Sequence, residues 1–425
     1  MRQTNSTNPT ADLPGKRRGA FTWRQWFGHA SLFLLVTLPS VWAGHLLRWL
    51  KGRRYNRSLS TDPAKVRSIL VVLVENIGDV LLAAGFLRDL RAHYCESHIS
   101  LIVSSDSLAV ASSCPYVDDV LGINVAGSAV RRAFVGPLRA WAFAKRNLWS
   151  RKFDMVLNPR WDVDSRHGSL LGLYSLGAQH VGFCSKDGNA RKRVINRGLD
   201  RAFSYVSTGV TLCHDAERGG ELLESVGICS GSPICEVWML PEDLRFGDEE
   251  LNDSSRLLIA FGVGASQRKR QWPVRRFIDL AELLILKYPN ASFLVVGNKQ
   301  DAAIGEEIKG FIGDRLLNYA GRCTVLQSAS LLKHCRLYIG ADSGPMHIAA
   351  AVGVPVVDIS CHPVTGAQDH ANSPRRYHPV NVPYVVLQPA NFTYPCSYAC
   401  SATDAHCILS ITTSRAFSAA LQLLH

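Results

Sequence analysis

The chain has 425 residues and a mass of 46.7 kDa, length for two or three domains. With 47% hydrophobic and 19% charged residues it can bury a sizeable core, which excludes a disordered or low-complexity chain. Of the formal net charge of +12, residues 1–57 carry +9 and the rest only +3, which excludes a globally nucleic-acid-like surface.

Residues 1–57 read as a basic N-terminal extension. Within it, residues 25–47 hold no Asp, Glu, Lys or Arg, and a spanning helix needs about 20 apolar residues. Trp23, Trp26 and Phe27 at one end and Trp42 and Trp49 at the other resemble interfacial aromatics. Basic residues flank both sides: Lys16, Arg17, Arg18 and Arg24 before, Arg48, Lys51, Arg53, Arg54 and Arg57 after. Gly28, His29, Pro39, Gly44 and His45 weaken a plain span. The pattern predicts contact with a membrane surface through residues 16–57, best as a Pro39-kinked re-entrant or interfacial anchor, with spanning and surface topologies both open. A signal peptide cut after Val41-Trp42-Ala43 is the alternative, with an unusually long basic n-region.

The apolar, β-branched run at 68–74 suits a fully buried parallel strand. A tight turn, Glu75-Asn76-Ile77-Gly78-Asp79, follows, and Val80, Ala83, Ala84, Leu87, Leu90 and Tyr94 then recur at helical spacing. Strands at 98–103 and 153–157 continue the alternation, which predicts a doubly wound α/β domain over 66–240. The weakly patterned stretch 231–253 reads as a linker. The pattern restarts with a strand at 257–261, a helix from Pro273 to about Tyr288 and a strand at 292–296. A helix at 325–334, a strand at 336–340, a helix from Met346 and a strand at 354–359 complete a second α/β domain within 255–425. Two such halves imply a ligand cleft between them.

Three strand-to-helix turns can carry chemistry. Asp79 lies at the carboxyl end of the first strand, where it either caps the helix or faces the cleft as a general base. Gly262-Val263-Gly264 fails the dinucleotide fingerprint, since Gln267 occupies the third position. The following Ser266-Gln267-Arg268-Lys269-Arg270-Gln271-Trp272-Pro273 sets three cations before a helix, suited to phosphate or to solvent. Ala341-Asp342-Ser343-Gly344-Pro345-Met346-His347 offers free N–H groups at a helix start for an anion, with His347 a ligand or a core histidine. Asp162-Val163-Asp164 is a DxD, a form that can hold a divalent metal but is common by chance. The sequence contains no HExxH, GxSxG or Walker A motif.

Taken in order, ILVVLVENIGDVLLAAGFLRDLR, FGVGASQRKRQWP and IGADSGPMHIAAAVGVPVV resemble glycosyltransferase family 9, the lipopolysaccharide heptosyltransferases. The likeness runs over roughly 66–415 and includes residues 153–157, His214 with ERGGELLESVGI, and PCSYAC…CIL. It implies a GT-B fold: two Rossmann-like domains facing across a cleft, acceptor-binding at 66–240 and nucleotide-sugar-binding at 255–425. It also implies inverting transfer without cofactor or metal. By motif, Asp79 is the general base, and Arg270, where the family often has Lys, stabilises the leaving diphosphate. Gly264, Ser266, Lys269, Asp342, Ser343, Gly344 and His347 fall at the donor turns, with Gly297 and Asp301 near the nucleoside.

Residues 131–201 carry 15 Lys and Arg against 5 acids. In the acceptor domain this is either a solvated face or, through Arg160, Arg166, Lys192 and Arg193, a site for an anionic glycolipid. The expected setting is the cytoplasmic face of a bacterial inner membrane, without nucleic acid. A protein acceptor or a non-catalytic glycolipid-binding protein are the alternatives. Cys95, Cys213, Cys323 and Cys335 read as buried, reduced residues. Cys396, Cys400 and Cys407 do not follow a standard structural-zinc spacing. Free thiols, a disulfide and metal ligation, with Cys361, His362, His370 or His406 nearby, all stay open for them.

Overall fold

A computed structural model describes residues 23–55, 59–209, 212–253 and 255–425. The predicted basic contacts of Lys16, Arg17, Arg18, Arg24 and Arg57, and the side chains of Trp23, Trp26 and Phe27, lie outside the described residues.

Two six-stranded, fully parallel sheets form the frame. The first contains β1 (Ser68–Leu73), β2 (His98–Ser104), β3 (Asp119–Ile123), β4 (Met155–Asn158), β5 (Gln179–Phe183) and β6 (Tyr205–Ser207), in the order β3-β2-β1-β4-β5-β6. The second contains β7 (Leu257–Gly262), β8 (Ala291–Val295), β9 (Leu316–Asn318), β10 (Leu337–Ala341), β11 (Val356–Ile359) and β12 (Tyr384–Leu387), in the order β12-β11-β10-β7-β8-β9. Counted from its own first strand, each sheet has the same 3-2-1-4-5-6 order, that of the Rossmann fold. The α/β class and the paired Rossmann-like halves are therefore as the sequence pattern predicts. In β1, Ile69 to Leu73 are all buried, because helices cover both faces of a parallel sheet and leave no side for polar residues. Strand order reverses between β1 and β4 and again between β7 and β10, and each reversal opens a crevice at the strands' carboxyl ends.

Local structure departs from the sequence reading in four places. The helix expected after β1 is two helices, Ile77–Leu82 and Ala84–His93, broken at Ala83, where ψ is 2°. The expected linker holds a helix, Pro241–Glu250, in which Pro241 supplies an N-terminal proline. A Cβ on its Gly247 would lie 2.8 Å from the backbone of Ser330, so the missing side chain lets this helix press onto Val325–Lys333. Cys95 is exposed, and Cys213 and Cys323 are half-buried; only Cys335 of that group is buried as expected.

The fourth departure concerns the apolar N-terminal segment. Helix Trp23–Leu50 runs unbroken through Pro39 and packs on helices Ala129–Asn147 and Gly168–Tyr174. Among the described residues, no helix is long and apolar enough to cross a membrane. Two of the residues that interrupt the apolar run, Gly44 and His45, serve docking instead. Gly44 allows close approach, since a Cβ there would lie 2.4 Å from Leu173, and His45 Nε2 bonds the Arg201 carbonyl at 2.8 Å. Tyr174 donates its hydroxyl to the Ser40 carbonyl at 3.0 Å.

One side chain ties the two sheets together. Arg376, from the short helix Pro374–Tyr377 between β11 and β12, is 0% exposed. Its Nε and Nη2 donate to the two oxygens of Asp215 at 2.9 Å each, and Nη1 donates to Asp162 Oδ2 at 2.8 Å. The guanidinium also stacks on Trp161 and Tyr377, at 4.9 and 4.8 Å from the ring centroids. Removing one partner of a buried ion pair leaves the others uncompensated, at a cost of about 3–5 kcal/mol. Arg376→Ala should therefore lower the unfolding free energy by about that amount in a guanidinium titration. A loss below about 1 kcal/mol would show that the domains are held by other contacts.

Candidate functional site

The two crevices face one another and merge into a cleft of about 700 Å³. Its first-domain wall is the turn after β1, with Asn76, Ile77, Gly78 and Asp79, joined by Asp106 and Arg160. Its second-domain wall comes from the turns after β7, β8 and β10, including Gly264, Ser266, Arg270, Gly297, Asp301, Asp342, Ser343, Gly344 and His347. The walls meet closely, since a Cβ on Gly78 would lie 2.6 Å from His347 Cδ2.

Asp79 serves both roles that the sequence leaves open. One oxygen accepts the Asn76 backbone N–H at 3.1 Å and so caps helix Ile77–Leu82, and the carboxylate also lines the cleft. The Arg160 guanidinium lies 3.7 Å from Asp79 Oδ1 and 3.4 Å from Glu75 Oε1. Glu75 is buried, and desolvation, opposed by Arg160 and aided by Asp79, pushes its carboxyl up to about 7. Arg166 braces the same turn, donating to the Val74 carbonyl at 2.9 Å and to Asn76 Oδ1 at 2.6 Å.

Opposite, Arg270 pairs with Asp342 at 2.9 Å. Burial acts to raise the Asp342 carboxyl, but Arg270 and then His347 outweigh it and hold it below the usual carboxylate range. Asp358 lies beneath them on β11, fully buried and without a hydrogen-bond partner for either oxygen. Burial, followed by the charge of Asp342, pushes its carboxyl well above the ordinary range and disfavours its ionised form. Ser343 and Gly344 begin helix Gly344–Ala351, and Gly297 and Asn298 lead into helix Lys299–Ile312, so two helix N-termini point into the cleft. Gly264 and Gly297 make room for the Asp301 carboxyl, which a Cβ would approach to 2.0 and 2.3 Å respectively.

Four predicted site residues do not line the cleft: Arg166, which is bonded to the turn behind Asp79, and Lys269, Lys192 and Arg193. Lys269 turns away and donates to the Cys400 carbonyl at 2.7 Å. Lys192 is buried, its ammonium bonded to the carbonyls of Arg160 at 3.1 Å and Phe183 at 3.4 Å. Arg193 is exposed and bonds the Gly188 carbonyl at 3.1 Å. The DxD carboxylates are occupied: Asp162 by Arg376, Asp164 by the backbone N–H groups of Gly168 and Ser169 at 2.9 and 2.8 Å. The sequence pattern does not single out Glu75, Asp358 or Tyr377 as site residues. Glu75 had a visible signal, an acid four residues before Asp79 in the same turn.

The arrangement sets one carboxylate on one wall against a buried guanidinium and helix N-termini on the other. It can take a proton from a hydroxyl while neutralising charge on a phosphate-bearing group. Inorganic diphosphate should bind the protein in a calorimetric titration, and Arg270→Ala should weaken that binding about tenfold or more. Equal affinity in the variant would place the anion elsewhere.

The family model of glycosyltransferase family 9 (heptosyltransferase) matches residues 214–362. The lipopolysaccharide core heptosyltransferase OpsX of Haemophilus influenzae is 22% identical over 294 residues, 69% of this chain and 78% of that protein. The lipopolysaccharide heptosyltransferase 3 of Escherichia coli K12 is 22% identical over 305 residues, 69% of this chain and 80% of that protein. Among solved structures, the family 9 glycosyl transferase of Veillonella parvula superposes with a TM-score of 0.68 at 20% identity, over 86% of this chain and 98% of that one. The ADP-heptose lipopolysaccharide heptosyltransferase II of E. coli gives 0.59 at 20% identity, over 84% and 98%. At these identities the two structures establish the shared GT-B fold.

Proposed function

We propose, from the premise that this chain is a glycosyltransferase of family 9, that it moves a heptose from a nucleoside-diphosphate donor to a hydroxyl of an anionic, lipopolysaccharide-core-type glycolipid. The names of its relatives, a lipopolysaccharide core heptosyltransferase and an ADP-heptose lipopolysaccharide heptosyltransferase, support that substrate class. The observation that carries the reading is the placement of Asp79 and Arg270 on opposite walls of one cleft.

In this reading the acceptor hydroxyl loses its proton to Asp79 as its oxygen attacks the anomeric carbon, from the face opposite the diphosphate. The bond between that carbon and the diphosphate oxygen breaks, and the electron pair leaves with the diphosphate. One displacement inverts the anomeric centre. Arg270 and the start of helix Gly344–Ala351 oppose the charge that grows on the leaving group, so their effect is larger in the transition state than before it. These fixed groups supply the role that a divalent ion plays in other nucleotide-sugar enzymes, and Asp162 and Asp164 are committed to Arg376 and to a helix start. That distribution supports transfer without a metal ion. Arg160, beside Asp79 in the cleft lining, is the cation placed to meet an anionic acceptor.

Asp79→Asn should lower kcat by about 10²–10⁴-fold while leaving the Kd for donor nearly unchanged. Glu75 adds a pH signature. Below about 7 it is neutral, and Arg160 is left to Asp79; as pH rises through about 7, ionised Glu75 draws Arg160 and frees Asp79 for the acceptor. The rate should therefore rise across that window, and Glu75→Gln should remove that limb of the profile. Wild-type turnover by Asp79→Asn would sink the assigned base.

A lipid-linked acceptor calls for a membrane-facing surface, and the protein has a suitable one. Leu35, Trp42, Leu46 and Trp49 share the outer face of helix Trp23–Leu50 and are 72%, 66%, 56% and 67% exposed. The neighbouring helix Ala129–Asn147 adds exposed Phe134, Leu138 and Trp141, with exposed Arg131, Lys145 and Arg146. The Lys51 ammonium over Trp149, which packs edge-on to Trp141, joins the two helices. Apolar side chains amid cations suit an anionic lipid interface, and at the cytoplasmic face of a bacterial inner membrane both the surface and a nucleotide-sugar donor are at hand. The protein should sediment with vesicles containing anionic lipid, weakly with zwitterionic ones, and Trp42→Asp with Leu138→Asp should abolish sedimentation. Sedimentation unaffected by that pair would show that this face is not the contact.

A further inference from the structure

Away from the cleft, the segment between β12 and the C-terminal helix Thr413–Leu424 gathers Cys396, Cys400, His406 and Cys407. Their sulfur and ring-nitrogen atoms all lie within 4.8 Å of one another. His406 Nδ1 is 3.6 Å from Cys396 Sγ and 3.5 Å from Cys407 Sγ. A tetrahedral ion bound at ~2.3 Å to sulfur and ~2.0 Å to nitrogen sets the S···N edge at ~3.5 Å and the S···S edge at ~3.8 Å. The two observed edges match that figure. The three cysteines are buried and carry no disulfide, so the chain has brought three sulfurs and an imidazole to one point without cross-linking them. The sequence spacing does not reveal this, because Cys400 and His406 converge only through the loop between them.

We infer that Cys396, Cys400, His406 and Cys407 bind one tetrahedral divalent ion of the zinc or iron(II) class, as a structural site separate from the transfer chemistry. A sulfur-rich donor set selects that class of ion over magnesium or calcium. Four protein ligands close the coordination sphere, leaving no position for substrate, as in structural rather than catalytic sites. Three thiolates and a neutral imidazole around a dication leave one negative charge. The Lys269 ammonium, which reaches in from the loop after β7 and bonds the Cys400 carbonyl at 2.7 Å, lies beside the cluster to offset it.

The same contacts say what the ion does. The segment it would staple also accepts from Trp272 Nε1, at Ile411 O and 2.9 Å, and from Arg276 Nη2, at Leu409 O and 2.7 Å. Lys269, Trp272 and Arg276 lie on either side of Arg270 in sequence. Holding residues 396–411 rigid thereby holds the loop that delivers the cleft's buried cation. The four ligands are positioning residues and not catalytic ones.

The test uses the full chain without a polyhistidine tag, purified under reducing conditions with no chelator, and elemental analysis by plasma mass spectrometry. About one zinc or iron per chain is expected, falling below about 0.2 in Cys400→Ser and in Cys407→Ser, while Cys95→Ser, at an exposed site outside the cluster, keeps its ion. Because a ligand variant can misfold, wild-type protein stripped by a chelator provides the second measurement. It should lose thermal stability and regain it with one equivalent of zinc(II), and cobalt(II) in its place should give the strong visible absorption of a tetrahedral thiolate complex. Less than about 0.1 ion per chain even after titration with zinc(II), equal metal in wild type and Cys400→Ser, or a disulfide among the three cysteines in reduced-against-unreduced peptide mass spectra would each overturn the site. None of these readouts depends on sugar transfer, so the metal site and the proposed activity stand or fall separately.

Discussion

The fold depends on a guanidinium that water never reaches. Arg376 leaves the second domain, enters the first, and meets Asp215 through two parallel hydrogen bonds and Asp162 through a third. Desolvating three charged groups costs several kcal/mol each, and only full pairing with good geometry offsets it. The arrangement tolerates little displacement, and it fixes how the carboxyl ends of the two sheets face each other. That relation makes the cleft: Asp79 belongs to one sheet, Arg270 and Asp342 to the other, and none of them alone defines a site. Tyr377, next to Arg376, lines the cleft, so the clamp and the cleft are continuous.

Charge in the cleft is arranged as pairs. Arg270 faces Asp342, and a second ionised acid at Asp358 would leave that wall net negative. Burial without a hydrogen-bond partner disfavours the ionised form of Asp358. On the opposite wall Arg160 stands between two carboxyls, Glu75 and Asp79, of which the buried one is pushed toward neutrality. In both places the deeper acid is the one that burial pushes toward its neutral form, and it modulates the cation that the two acids share.

What was legible in the sequence were the periodic and the local features. Continuous apolar runs at β1, β7 and β10 reveal parallel strands because both faces of such a sheet are buried. Asp79, Arg270 and the Asp342–His347 turn are readable because each follows a strand at the end where α/β sheets bind ligands. Features made by convergence were not legible. Nothing near Arg376 in sequence points to Asp162, 214 positions away, and the DxD looked like a metal motif only while that partner was unknown. Lys269 shows the limit of reading a run of three cations as one unit. The short 3-10 turn Arg268–Arg270 sends neighbouring side chains in different directions, so Arg270 enters the cleft while Lys269 bonds to Cys400.

The basic excess of residues 131–201 resolves along the same line. Arg151 pairs with Asp119, Arg160 with Glu75 and Asp79, and Arg166, Arg139 and Arg132 are bonded to backbone carbonyls. Lys192 is buried altogether. These cations hold loops rather than presenting a uniform patch, and the count overstated the charge available to a ligand. The cations left exposed on helix Ala129–Asn147, Arg131, Lys145 and Arg146, lie beside Phe134, Leu138 and Trp141. The neighbouring helix Trp23–Leu50 carries its own exposed Leu35, Trp42 and Trp49, while Gly44 and His45 fasten its inner side to the domain. One helix face therefore serves packing and the other stays bare, which explains why the segment looked like an anchor in sequence and yet folds as part of the first domain. An amphipathic surface held rigidly on the first domain can lie against a lipid headgroup layer without crossing it, and that geometry needs no membrane-spanning helix.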